Sequence, residues 1–156
     1  MDPRPDTFPA GSRQITGTLG SIPTEVSRLD FSDKILLTIS QHGRLSQWIQ
    51  VPLTGSSADQ VEMALPSAGT SLLPSAHLTP KTLLGGGGQD RETIGQLYAA
   101  QVASQISLRA PDDRRILVLG LGVDLAQFQA DAKASSRADA QRQTFFDFLE
   151  LVQRVL

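Results

Sequence analysis

The residues of this chain that could do chemistry fall into a few small groups. Four successive glycines at 85–88 suggest a phosphate loop. That loop needs the spacing GxxxxGK followed by Ser or Thr, with the lysine after the glycines so that it reaches phosphate. Here Lys81 precedes the glycines, and Gln89 and Asp90 follow them. A flexible joint is the expected role, because four glycines cost much backbone entropy to order. Gly120, Leu121 and Gly122 close an apolar run and supply half of a dinucleotide fingerprint. The third glycine and the surrounding strand–helix–strand unit are missing, so a strand end entering a turn is expected. His42 and His77 are far apart, with no HExxH spacing, and there is no cysteine. A zinc site would need about three protein ligands within reach. No GxSxG marks a serine nucleophile. Asp30 and Asp33 could form a carboxylate pair at i, i+3, but between two strands they are turn formers. No catalytic, cofactor-binding or metal-binding residue is assigned, and the chain is not expected to be an enzyme.

Composition narrows the remaining classes. With 156 residues and 40 % hydrophobic residues the chain can bury one core. The 14 Lys and Arg are scattered and offset by 16 Asp and Glu, so no basic stripe for nucleic acid is expected. No apolar run approaches the roughly 18 residues of a membrane span. Residues 1–13 are proline-rich and polar, without a signal-peptide core, and read as a disordered tail. Cytoplasm is the expected location, with the nucleus open as well.

Residues 14–156 read as one domain. Strands are expected over 14–19, 24–29, 34–41, 44–51, 80–84 and 115–121, and helices over 92–108 and 141–155. Over 34–41, Ile35, Leu37 and Ile39 alternate with Leu36, Thr38 and Ser40, a two-residue period. His42 and Gly43 make a tight turn, with Gly43 free to take positive φ, and suggest a hairpin. The return strand sets Leu45, Ile49 and Val51 on one face, interrupted by Gln47, with Trp48 on the other. Residues 52–78 have no sustained periodicity and are expected to be a flexible insertion. The first helix is expected to start on Asp90 as N-cap, with an apolar stripe of Ile94, Leu97, Tyr98, Val102 and Ile106 that includes Gln105. Ala99, Ala100 and Ala103 allow it to approach a sheet closely. Residues 125–143 either extend the last helix or form a loose insertion. That helix presents Phe145, Leu149, Val152 and Leu156, widened by Phe148 and Val155.

The fold class expected is α+β: a single, largely antiparallel sheet of about six strands with two main helices, dimerising. The alternative is a small α/β domain in which the strand at 115–121 inserts in parallel. Two helices cover one sheet face, while Leu36, Trp48 and parts of the strand at 115–121 point to the other. Leaving large apolar side chains wet forfeits about 1.5–3 kcal/mol each. A partner chain is therefore expected over that face, with Leu36 and Trp48 as the candidate partner-binding residues. Folding of the segments 52–78 or 124–140 over it is the other way to cover it.

One family carries a similar pattern. The phrase PTEV…FSDKILLTISQ-x-G-x-L, within 21–51, resembles the proteasome assembly chaperone 3 family, in a fungal-type form. The resemblance starts at Gln14 and Ile15, resumes in TPKTLLGG at 79–86, in the helix at 94–107 and in the strand at 116–122, and ends in a short apolar helix. The departures are the 52–78 insertion, the glycine stretch and the polar segment 124–140. The resemblance implies a non-catalytic chaperone of the 20S proteasome α-ring. It implies pairing with a sister chaperone of related fold, a homodimer in isolation being compatible with this. It also implies that the pair holds the α5 subunit and leaves as β-subunits arrive. A small ligand-binding or enzymatic domain and a trafficking-type adaptor are the competing classes. A deep pocket with convergent polar groups would favour the former.

Overall fold

The computed structural model describes residues 10–54, 78–123 and 134–156. Six strands form one sheet: β1 (Gly11–Leu19), β2 (Ile22–Asp30), β3 (Lys34–Gln41), β4 (Gln47–Pro52), β5 (Lys81–Leu84) and β6 (Ile116–Gly122). Two helices, α1 (Gln89–Arg109) and α2 (Ala134–Gln153), complete the α+β fold. The flexible-insertion expectation for 52–78 falls largely on residues outside those described. So do His77, residues 1–9 of the tail and residues 124–133 of the polar segment. From residue 134 that polar segment is helix, so it extends α2 upstream. β1 is longer than expected; it begins at Gly11 and continues unbroken through Gly17, each residue paired with β2.

The strand order is β1-β2-β3-β6-β4-β5. The sheet is antiparallel except where β6 lies parallel to β3, with Leu37 opposite Leu119. The expected hairpin of β3 and β4 is therefore corrected. Its turn is built: His42 and Gly43 take φ of 55° and 68°, and the Arg44 amide donates to the Gln41 carbonyl at 3.1 Å. Two successive positive φ values mark the turn type that twists a hairpin correctly. After the single Gln41–Arg44 bridge the strands part, and β6 fills the gap. β6 is the most continuously apolar strand, ILVLGLG, which is the pattern of a strand with neighbours on both sides. The chain between β3 and β4 must step over the end of β6, and Gly122 makes room. A Cβ there would stand 1.7 Å from the Arg44 carbonyl oxygen. Leu45 falls in this crossing, not in β4, and is 38 % exposed instead of facing the core.

One face of the sheet is the core. Val26, Ile35, Leu37, Ile39, Ile49, Val51, Leu117 and Leu119 have no exposed surface. α1 lies over β4, where Gly95 allows close approach: a Cβ there would meet Gln47 Oε1 at 2.7 Å and Ile49 Cδ1 at 3.0 Å. The buried side of α1 runs through Gly95, Tyr98, Ala99, Val102, Ala103 and Ile106. Leu97 is 49 % exposed, so the helix is rotated away from the expected stripe. Small residues, invisible to a search for large apolar ones, set that rotation. The expected Asp90 cap is also corrected. Gly88 is the N-cap and no side chain caps the helix, while the Thr93 hydroxyl bonds back to the Gln89 carbonyl at 2.8 Å.

α2 covers the β1 side. Leu151 fills the space over Gly17, where a Cβ would come within 2.5 Å of its Cδ1. Tyr98 of α1 meets Phe145 and Phe148 of α2 edge-on, at centroid distances of 5.1 and 4.6 Å. Such pairs add about 0.5–1.5 kcal/mol beyond area burial. Leu156, three residues past α2, is held by Arg13 and Arg28, which donate to its carbonyl oxygen at 3.2 and 3.1 Å.

Candidate partner-binding face

Both helices occupy the same side of the sheet, so the other side has no cover among the described elements. Its residues follow from the register. One row across the strands reads Ser12, Leu29, Leu36, Val118, Gln50 and Lys81. The next reads Gln14, Ser27, Thr38, Gly120, Trp48 and Leu84. Leu29, Leu36, Val118 and Trp48 are all partly exposed, and for Leu36, Val118 and Trp48 the neighbours one residue along the strand are buried.

Leu36 and Trp48, the two residues singled out from the sequence, therefore share this open face. They are not direct neighbours. β6 runs between their strands and they sit in adjacent rows, about 12 Å apart by strand spacing and rise. What joins them is β6 itself: Val118 beside Leu36 and Gly120 beneath Trp48. A Cβ on Gly120 would lie 3.0 and 3.1 Å from Cζ3 and Cη2 of the indole, and 3.3 Å from Thr38 Cγ2. The ring thus packs against a strand position that only glycine leaves low enough. Parts of the strand at 115–121 are expected on this face, but not Val118 and Gly120 individually, because their place depends on β6 lying between β3 and β4. Glycine inside a strand was the available signal, since it marks a site of close approach.

The face is apolar at its centre and polar at its β1 side, where Ser12, Gln14, Thr16, Glu25, Ser27 and Ser40 stand. Glu25, Lys34 and Lys81 are its charged residues, all exposed. An apolar centre with a polar rim is the composition of a protein–protein interface.

The strong charges gather elsewhere. At the lower end of the sheet Asp30 receives Arg28 Nη2 at 2.7 Å and Arg115 Nη1 at 3.1 Å, while Arg115 Nη2 meets Asp113 at 2.7 Å. Burial pushes the Asp30 carboxyl up, but bonds from Arg28 and Arg115 outweigh it and hold it below the ordinary carboxylate range. The Arg115 hydrogen bond holds Asp113 low as well. Asp33 stands apart in the β2–β3 turn, lowered by its bond to Lys34. Asp30 and Asp33 do not share a site, and neither carboxyl is raised toward a proton-donating range.

Three of the glycines considered for phosphate or dinucleotide, Gly85, Gly120 and Gly122, have packing roles, whereas a Cβ on Gly88 would meet nothing within 4 Å. Gly85 takes φ of 81°, and a Cβ on it would stand 1.9 Å from the Ser46 carbonyl oxygen. Gly120 underlies Trp48 and Gly122 abuts Arg44. Among the described residues there is no group of three or more His, Asp or Glu that could hold a metal, and no helix long and apolar enough to cross a membrane.

No family model matches the chain, and no curated protein matches it. Among solved structures the chain is similar to one in the crystal structure of a chaperone complex for yeast 20S proteasome assembly, at 13 % identity and a TM-score of 0.49, covering 86 % of this chain and 98 % of that one.

Proposed function

We propose that this protein is a non-catalytic chaperone for assembly of the 20S proteasome α-ring. It acts as one half of a dimer with a sister chaperone of related fold, and the pair binds the α5 subunit while the ring is incomplete. The observation that carries the reading is the open face: a sheet surface with an apolar centre and little charge, opposite both helices. The sequence phrase over 21–51 supports the family. Dimerisation buries the face, and the bound pair leaves when a later subunit needs the space. No cofactor or nucleotide takes part, and the work is done in the cytoplasm and the nucleus.

The size of the face suits this role. Six strands at about 4.8 Å spacing and about seven residues at 3.3 Å rise give a flat area on the order of 550 Å². Side-chain relief brings that near the roughly 800 Å² that each partner contributes to a standard interface. Backbone carbonyls of Ser46 and Arg44 occupy the space beside Gly85 and Gly122, where the ligand-binding alternative would place its cleft.

Affinity capture of the tagged chain from its own cells tests the proposal. The expected co-purifying proteins are a related chaperone and free α-type subunits, without complete 20S particles. Recovery with mature particles only, or with no proteasome subunit, would overturn it.

A further inference from the structure

Among the described residues the sheet has two unpaired edges, β1 and β5, and they differ. β1 is nine residues long, and its exposed positions are polar: Ser12, Arg13, Gln14, Thr16 and Thr18. β5 has four residues, pairs with β4 alone, and ends in two leucines. Leu83 is 44 % exposed and Leu84 is 67 % exposed, the highest value of any large apolar side chain among the described residues. Leu97, 49 % exposed, follows Gln96, whose amide donates to the Thr82 hydroxyl of β5 at 3.2 Å. Folded proteins normally guard an edge with charge or cover it. Here a short edge displays leucines instead. Cations stand at its two ends. Lys81 opens the strand, and the Arg91 guanidinium lies beside Gly87 just past it, 3.5 Å from a Cβ built there. Both are exposed, and neither forms an ion pair among the described residues.

We propose that the β5 edge takes an extended segment of another protein as a seventh strand, with aliphatic side chains against Leu83, Leu84 and Leu97 and acidic residues at its ends facing Lys81 and Arg91. Alternate residues of a strand turn their N–H and C=O groups away from the paired neighbour, so the free side of β5 offers a hydrogen-bonding ladder that another strand fits. Lys81 selects an acidic residue at its end by charge complementarity; at the other end Arg91 is the more exposed charge, with Glu92 set back beside Gly86 and bonded by Gln96. The size of the edge selects a segment over a folded copy. Four residues span about 13 Å, and such an edge buries far less than the roughly 800 Å² per partner that a stable folded pair requires. This site borders the open face and shares Lys81 and Leu84 with it, but it does not rest on the assembly reading.

The test uses the full chain and a blocked hexapeptide, acetyl-Asp-Val-Thr-Val-Thr-Asp-amide. Trp48 is the only tryptophan and pairs with Leu84, so its fluorescence reports on the edge. Saturable binding is expected, with a dissociation constant on the order of 10⁻⁴ M. N-methylation of one alternate set of peptide amides should abolish it. Replacing both aspartates by lysine should weaken it about tenfold, as should Leu84→Ser. Leu84 is mostly exposed, so that variant should keep the circular dichroism of the wild type. The peptide arms need no altered protein at all. No saturation at millimolar peptide, or equal binding of the lysine-flanked peptide or of both N-methylated peptides, would overturn the proposal. So would self-association, read by light scattering, that Leu83→Ser dissolves and Trp48→Ala does not, since a second copy would then occupy the edge and not the open face.

Discussion

Gly122→Ala should be among the most damaging single-methyl changes in this protein. The added Cβ would stand 1.7 Å from the Arg44 carbonyl oxygen, 2.7 Å from its carbon and 3.1 Å from Leu45 Cα. All three are backbone atoms, so no side chain can swing aside, and the crossing from β3 to β4 must lift off the end of β6. That movement breaks the bonds from the Ser46 amide and hydroxyl to the Leu121 carbonyl, at 3.0 and 3.1 Å. Two such bonds contribute about 1 kcal/mol each. Overpacking adds about 1–3 kcal/mol. The stiffer unfolded chain gives back about 0.4–1 kcal/mol. The net loss is about 2–4 kcal/mol, a large part of the roughly 5–15 kcal/mol typical of a domain. At about 2–4 °C per kcal/mol the melting temperature should fall by about 5–15 °C. Gly43→Ala is the control. Nothing lies within 4 Å of a Cβ there, and only its φ of 68° is unfavourable, so about 1–2 kcal/mol should be lost. Urea denaturation followed by circular dichroism measures both. If Gly122→Ala stays within about 0.5 kcal/mol of wild type, or harms less than Gly43→Ala, the close crossing described above is wrong.

Three further outcomes follow from the same geometry. Trp48→Ala should leave the fold intact at a cost of about 1–3 kcal/mol for a partly buried ring, and should weaken dimerisation by 2 kcal/mol or more (about thirtyfold), read by sedimentation at low concentration; unchanged association would remove Trp48 from the interface. Gly120→Val should push the indole off the strand and shift its fluorescence to the red, a clean signal in a protein with one tryptophan, and an unshifted spectrum would contradict this packing. Asp30 and Asp113 have folded values below the ordinary 3.8, so their contribution is complete above that pH and is lost as pH falls through the lowered values; acid unfolding of Arg115→Gln should show a smaller loss below pH 3.8 than wild type, and an identical acid limb would mean the network contributes nothing.

Much of the fold could be read from residue patterns, and the misses share a cause. β3 was plain because Ile35, Leu37 and Ile39 alternate with partly polar positions, which is what a half-buried strand requires. The His42–Gly43 turn was plain as well, because local backbone chemistry sets it. Strand order was not, since pairing β6 between β3 and β4 depends on contacts distant in sequence, and a good hairpin turn pointed to a hairpin. The rotation of α1 escaped because Gly95, Ala99 and Ala103 do their packing by being small, while Leu97 attracts attention by being large. For the candidate face, strand parity was enough to put Leu36 and Trp48 on the same side. It could not show that β6 separates them, nor that Gly120 seats the indole.

The split between β3 and β4 also bears on how the chain comes together in time. A ribosome delivers β1 to β5 well before β6, and the first three strands can zip locally through short turns. β4 and β5 can pair with each other, but they join β1–β3 only through the single Gln41–Arg44 bridge. The slot between the two halves closes when β6 arrives, after α1 has crossed over. Long-range parallel pairing of this kind slows folding and exposes unpaired strands on the way. The two-part nascent sheet is therefore open to aggregation until β6, through Gly122, has cleared the exit tunnel.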